Sequence, residues 1–157
     1  FWLAAKYGEL DILRLLATQG ADPFVMPGSG VSALQATMGR PAIPQENRRN
    51  RVGVPMSDAS FQEDLVLELA EVVLSLGVDV NTADQQGNTA LHDAVRIGLE
   101  SVVEFLAVRG ADVRARNDRD QTALALAETL LPVPGTNGRR TTRPEIADLL
   151  RSFGADD

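Results

Sequence analysis

The sequence contains no cysteine and a single histidine, His92, among its 157 residues. Without thiols, the chain can form no disulfide, no thiolate nucleophile and no cysteine-based zinc site. One histidine supplies no pair of metal-binding imidazoles, and no H-E-x-x-H motif is present. We therefore expect no catalytic residues, no metal and no cofactor.

Aromatic residues and long apolar runs are also scarce. Aromatics make up 4% of the chain, whereas apolar residues, mainly Ala, Leu and Val, make up 44%. This composition favours close-packed helices over a β-sandwich. The most apolar stretch, residues 65–80, is interrupted by Glu68 and Glu71, so we expect no membrane insertion. No signal peptide is recognisable, and the sequence leaves the cellular compartment open.

Positive charge is in the minority, with 15 basic against 22 acidic residues and a net charge of −7. Nucleic-acid binding draws much of its affinity from cations that meet phosphates. The overall charge therefore argues against a nucleic-acid partner, although local basic patches occur.

Two short phrases recur along the chain. Gly-Ala-Asp occurs at residues 20–22, 110–112 and 154–156, with the variant Gly-Val-Asp at 77–79. Apolar residues precede each copy at the i, i+1, i+3, i+4 spacing of one helix face, and the glycine fits a left-handed helix end. The other phrase is Gly-Asn-Thr-Ala-Leu-His-Asp-Ala at 87–94, in which Thr89 predicts a helix N-cap, as does Thr122 in a weaker copy.

The spacing of the phrases indicates the architecture. Gly77 and Gly110 are 33 residues apart, and so are Thr89 and Thr122. A 33-residue period with a T-P-L-H-x-A-like turn and two helices resembles the ankyrin repeat, with Ala90 in place of the usual proline. The resemblance implies an all-α helical solenoid with short hairpin turns between helix pairs. The long insertions favour a bacterial member of the family.

We interpret the whole chain, residues 1–157, as a single ankyrin-repeat domain of four repeats. Proline and glycine clusters predict an insertion between the two helices of the second repeat and another within the fourth. The first repeat begins without a polar cap, so we expect it to be truncated and further residues to precede it. The approximate repeats are 1–27, 28–81 with insertion 39–63, 82–116, and 117–157 with insertion 131–143.

The resemblance implies a structural role for His92. In this family the histidine of the T-x-L-H phrase ties the first helix to neighbouring turns by hydrogen bonds. The carboxylates, such as Glu100 and Glu104, fall at helical spacing and are expected on solvated outer faces.

By the same resemblance, a partner would contact the hairpin turns and the first helices. Aromatic and arginine side chains there are the strongest candidates, because both are enriched in binding hot spots. The alternatives are ordinary solvation of the arginines and packing of Phe24 against the next hairpin. The candidates are Tyr7, Phe24, Met26, Arg96, Arg114, Arg116 and Arg119.

A second hypothesis concerns the two insertions, which carry clusters of arginine and leave the stack at the same structural point. They would form a basic rim flanking the third repeat and bind an acidic partner or an anion. The alternative is a pair of solvated loops, and truncation of both would distinguish the two. The rim residues are Arg48, Arg49, Arg51, Arg139, Arg140 and Arg143.

The sequence therefore predicts a protein–protein interaction module, a monomer without catalysis whose protein partner is unidentified. The rival hypothesis is a regulatory or targeting segment of a larger protein with a catalytic domain upstream. An enzyme in its own right would need proton-transfer or metal-binding residues that the chain does not supply.

Overall fold

The structure is a computed structural model that describes residues 1–38, 59–129, 131–132 and 140–155. Eight helices and two very short strands lie in these ranges. They are α1 (Trp2–Tyr7), α2 (Leu10–Thr18), α3 (Ala33–Met38), α4 (Ala59–Ser75), α5 (Ala90–Ile97), α6 (Glu100–Val108), α7 (Ala123–Glu128), β1 (Leu131–Pro132), β2 (Arg140–Thr141) and α8 (Pro144–Ser152).

The helices stack in two layers. The first helices of successive pairs, α1, α3, α5 and α7, contact one another in that order and form the inner layer. The second helices, α2, α4, α6 and α8, form the outer layer in the same way. Each inner helix also packs on the outer helix that follows it. The predicted helical solenoid is confirmed.

The helix boundaries follow from the capping residues in the repeated phrases. The Thr122 hydroxyl accepts a hydrogen bond from the Ala125 amide, 3.1 Å away, and so caps α7. Thr89 and His92 form a capping box at the start of α5. Gly98 ends α5 at a φ of 92°, in the left-handed region that glycine adopts without a Cβ clash. The two predicted N-caps are therefore confirmed.

The core runs along the seam between the layers. The same apolar positions recur in the second and third pairs and are fully buried there, for example Leu34 and Leu91 in the inner layer and Leu69 and Val102 in the outer layer. Ile12 occupies the position equivalent to Val102, yet it is 50% exposed. The core therefore depends on contact between neighbouring pairs.

Two features differ from the expected loops. Helix α4 begins at Ala59, inside the range 39–63 that we assigned to the first insertion. Within the range 131–143, β1 pairs antiparallel with β2, with Leu131 opposite Thr141. Two-residue strands are too short to produce a period-2 pattern, so they could not be predicted from the sequence.

Within the described ranges, none of the helices has both the length and the hydrophobicity that a bilayer span requires.

Candidate functional site

The hairpins between successive helix pairs are stacked by backbone hydrogen bonds. The Gln85 amide donates to the Ser29 carbonyl at 3.2 Å, and the Asp118 amide donates to the Gln86 carbonyl at 2.9 Å. The Asn117 side-chain amide donates to the Asn88 side chain at 3.0 Å. These bonds fix the hairpins as a continuous row beside the inner helices.

Each of the first three inner helices is tied to the following hairpin by one equivalent side chain. The Trp2 indole donates to the Val31 carbonyl at 2.9 Å, and the Gln35 amide donates to the Asn88 carbonyl at 2.8 Å. His92 Nε2 lies 3.1 Å from the Gln121 carbonyl. The bond expected for His92 is present, whereas those of Trp2 and Gln35 were missed. Trp2 and Gln35 align with His92 in the repeat, and this alignment could have predicted their hydrogen bonds.

The surroundings of His92 determine its tautomer and its protonation. Nδ1 lies 3.2 Å from the Thr89 amide nitrogen, which donates to it, and 2.9 Å from the Thr89 hydroxyl. Nε2 must then carry the proton and donate to the Gln121 carbonyl. Burial lowers the pKa of His92 below 6.5, and the hydrogen bond to Gln121 opposes this effect. His92 is a neutral structural group.

Asp93 follows His92 on α5 and forms hydrogen bonds with one side chain of α3 and with an arginine of its own helix. Its carboxylate accepts hydrogen bonds from the Gln35 side chain, at 3.4 Å, and from Arg96. Burial raises the pKa of Asp93, while the charge of Arg96 opposes the shift. Asp93 is 12% exposed and Arg96 is 53% exposed, so the pair places a cation at the surface above a buried acid.

A groove of about 320 Å³ lies between the inner helices α5 and α7 and the two hairpins beside them. It brings together two of the predicted partner-binding residues, Arg96 and Arg119. Most of the remaining lining residues are polar, and no local pattern in the sequence predicted that they converge. The groove is lined by Gln86, Asn88, His92, Arg96, Asn117, Asp118, Arg119, Gln121, Leu126 and Thr129.

The apolar candidates lie outside this groove. Phe24 is 55% exposed and Met26 is 42% exposed, and Val25 between them is 63% exposed. They form an apolar stretch on the first hairpin. Tyr7, on α1, is 43% exposed, and the Lys6 ammonium lies 5.8 Å from the centre of its ring. These side chains are open to a partner but are not gathered around one cavity.

Arg114 and Arg116 make contacts within the chain and do not line the groove. Arg114 Nε donates to the Gly154 carbonyl at 2.9 Å. Arg116 lies 3.1 Å from the Asp120 carboxylate and also donates to the Asp120 carbonyl. Of the three arginines predicted on this hairpin, the structure places Arg119 alone in the groove.

Arg143, assigned to the basic rim, points towards α5 instead of away from the stack. Its guanidinium donates to the carbonyls of Arg96 and Ile97, at 3.1 and 2.9 Å. A Cβ on Gly98 would overlap that guanidinium. Burial lowers the pKa of Arg143. Arg143 thus satisfies the free carbonyls at the end of α5. Arg48, Arg49, Arg51, Arg139 and the side chain of Arg140 lie outside the described residues, so the rim stays a prediction.

Carboxylates do not gather into a metal-binding group in the described ranges, where no three His, Asp or Glu side chains come together to hold an ion.

Comparison with known proteins agrees with this architecture. The family model "Ankyrin repeats (many copies)" matches residues 73–127. The chain belongs to the ankyrin-repeat family, whose repeats are protein–protein interaction modules and are generally non-catalytic. The bacterial origin that the insertions favoured stays a prediction.

Several curated relatives are similar over most of the chain. Neurogenic locus notch homolog protein 1 of Homo sapiens is 29% identical over 80% of this chain. Probable E3 ubiquitin-protein ligase XBOS34 of Oryza sativa subsp. japonica is 34% identical over 78%, and Palmitoyltransferase ZDHHC17 of Homo sapiens is 32% identical over 80%. The chain spans only 5%, 20% and 22% of the lengths of these three relatives.

Proposed function

We propose that this chain is a non-catalytic protein-binding module and that its partner lies in the groove between α5 and α7. The observation that carries the proposal is the convergence of Arg96 and Arg119 on one concave surface. Arginine is enriched at the energetic centres of protein interfaces, and concave surfaces are where solenoids present such residues. The module acts as a monomer on an unidentified protein.

The hydrogen bonding around the groove supports a rigid binding surface. The Asn88 carbonyl accepts a hydrogen bond from Gln35, and the Asn117 side chain donates to the Asn88 side chain. His92 is hydrogen-bonded to the Gln121 carbonyl of the next hairpin. These bonds hold the backbone in place, so a partner does not have to order it on binding. Preorganisation of this kind lowers the entropic cost of association.

The test is a comparison of proteins captured by two variants of equal charge. Arg96→Ala/Arg119→Ala removes both arginines from the groove, whereas Arg14→Ala/Arg109→Ala removes two exposed arginines from the outer helices. We expect a partner retained by wild type and by the outer-helix variant but lost by the groove variant, with quantitative mass spectrometry as the readout. A partner that both variants retain equally would show that binding does not use the groove.

The second candidate function is a regulatory or targeting segment of a larger protein that has a catalytic domain upstream. The names of two relatives, an E3 ubiquitin-protein ligase and a palmitoyltransferase, favour it, because similar stretches occupy about a fifth of those longer chains. The complete reading frame tests the idea directly. If the frame encoded further repeats and no catalytic domain upstream, this second candidate function would be refuted.

A further inference from the structure

The two arginines of the groove differ in how they are held. The Arg119 amide donates to the Asn117 side chain at 3.0 Å, but within the described residues no acceptor contacts the Arg119 guanidinium. Arg96 pairs with Asp93 and is 53% exposed. A guanidinium has five N–H donors, so Arg96 keeps donors for a second acceptor. Both cations can therefore bind an external anionic group.

The acidic groups near the groove do not cancel this preference. Asp93 is 12% exposed and contacts Arg96 from the protein side. Among the residues that line the groove, Asp118 is the single carboxylate against two guanidinium groups. A carboxylate that enters from solvent thus meets two exposed guanidinium groups and one exposed like charge, while the Asp93 carboxylate lies buried behind Arg96 and partly offsets its charge. A basic group would meet two exposed like charges and one exposed opposite charge. Charge complementarity therefore favours an acidic occupant.

The uncharged part of the lining favours a polypeptide. Two glutamine side chains, Gln86 and Gln121, contribute to it, and each carboxamide can both donate and accept, as the peptide groups of an extended chain require. The Asn88 and Asn117 carboxamides also line the groove, but they are bonded to each other and hold the hairpins in place. The net charge of the whole chain, −7, opposes a polyanion such as nucleic acid, which carries a charge on every nucleotide, far more than a peptide that brings one or two carboxylates.

We infer that the groove recognises an extended acidic segment of a partner protein, with an aspartate or glutamate side chain seated between Arg96 and Arg119. The inference rests on the proposed function and names the chemistry of the partner. Carboxylate and guanidinium match geometrically through two parallel N–H···O bonds. The segment would lie along the row of stacked hairpins, and its acidic side chain would fix its register.

The experiment selects peptides from a display library of random dodecapeptides on the wild-type chain. Selected peptides are then synthesised with each Asp or Glu kept, or changed to Asn or Gln. Fluorescence anisotropy measures their affinity for wild type, for Arg119→Gln and for Arg96→Gln/Arg119→Gln. Arg119→Gln tests the idea without disturbing the Arg96–Asp93 pair. Arg14→Gln/Arg109→Gln is the matched control for lost charge.

We expect the selected peptides to be enriched in Asp and Glu. The groove double variant should bind them about tenfold more weakly, since each exposed ion pair contributes about 0.7 kcal/mol. Neutralising the peptide acid should weaken wild-type binding and leave the double variant unaffected. Asp118→Asn should tighten binding about two- to threefold, because it removes a like charge. The outer-helix control should bind like wild type.

Two results would overturn the inference, and they can be told apart. Peptides without acidic residues that bind wild type and the groove variant equally would refute acidic recognition and the location in the groove, and leave only the protein-binding module in place. Failure of the wild-type chain to select any sequence would refute the inference, and the proposed function falls with it only if the capture experiment also yields no partner that depends on the groove.

Discussion

At the scale of the residue, one position on the inner helices is occupied by three different side chains that form the same kind of hydrogen bond. Trp2, Gln35 and His92 each reach the hairpin of the next helix pair and each contact one backbone carbonyl there. What the position requires is a donor of sufficient reach, because a buried carbonyl without a partner costs about 1–3 kcal/mol. The imidazole is therefore replaceable by another donor.

The first prediction concerns His92→Gln, which installs the side chain that occupies the equivalent position at Gln35. Burial lowers the pKa of His92, so on acidification through pH 6.5 the unfolded chain binds a proton before the folded chain does. Wild type should therefore lose stability between pH 7.5 and pH 5.5 relative to His92→Gln, which cannot titrate. Urea unfolding midpoints at both pH values measure this.

At pH 7.5, His92→Gln should be close to wild type, whereas His92→Ala should lose about 1–3 kcal/mol because the Gln121 carbonyl is left without a donor. Asp93, whose pKa is raised, contributes with the opposite sign, but it is present in all three proteins. An equal pH dependence in wild type and His92→Gln would contradict the assignment of His92 as a neutral buried group.

The second prediction concerns Asp120, which is the one described non-glycine residue with a positive φ, at 58°. It occupies the hairpin-tip position at which the preceding hairpin has Gly87, with a φ of 74°. Asp120→Gly relieves the left-handed strain but loses an exposed ion pair with Arg116. We expect a net stabilisation of about 0.5–1 kcal/mol by urea unfolding.

The reverse change provides the control for that prediction. Gly87→Ala should destabilise by about 2 kcal/mol or more, because it adds left-handed strain and its Cβ would lie 2.9 Å from the Asp118 amide nitrogen. If Asp120→Gly also destabilised the chain, the Arg116–Asp120 pair would matter more than the backbone conformation.

At the scale of the element, the third prediction concerns the carboxyl end of α5. Arg143 donates to the carbonyls of Arg96 and Ile97 and covers the face where Gly98 has no side chain. Arg143→Ala removes two charge-assisted hydrogen bonds and should cost about 2–3 kcal/mol, whereas Arg143→Lys should cost less because it keeps the charge. Hydrogen exchange of the α5 amides, compared among the three proteins, measures the local effect.

Arg151→Ala is a suitable control, since Arg151 is exposed and pairs with Asp148 and Glu128 on the outside of the stack. Its loss should be within about 1 kcal/mol. Unchanged exchange at α5 in Arg143→Ala would show that the end of this helix does not depend on the insertion.

Much of the element order was predictable from the sequence, and the failures have physical causes. Thr89, Thr122 and the recurring glycines mark helix ends through local chemistry, which acts within a few residues. The contacts of Arg143 with α5 span more than forty residues, and no local pattern encodes them. Arg96 and Arg119 were predicted, through the family resemblance, as residues that could contact a partner. The carboxamides that line the groove beside them were not predicted, because they come together only in the folded stack.

At the scale of the whole molecule, stability depends on contact between neighbouring helix pairs, and two isoleucines show how. Ile12 and Ile146 occupy equivalent positions on the outer helices α2 and α8, yet Ile12 is 50% exposed and Ile146 is 3% exposed. Helix α6 packs against α8, whereas within the described residues no earlier outer helix packs against α2. The same side chain therefore contributes differently at the two positions.

The fourth prediction follows from this difference. Ile146→Ala should cost about 2–5 kcal/mol, because it empties a fully packed site between α6 and α8. Ile12→Ala should cost about 1 kcal/mol or less, since half of its side chain already contacts solvent. Urea unfolding midpoints at two protein concentrations measure both losses and also test the monomer, whose midpoint must not change with concentration. Equal losses would mean that Ile12 is covered in solution, and a concentration-dependent midpoint would identify a second copy of the chain as the cover.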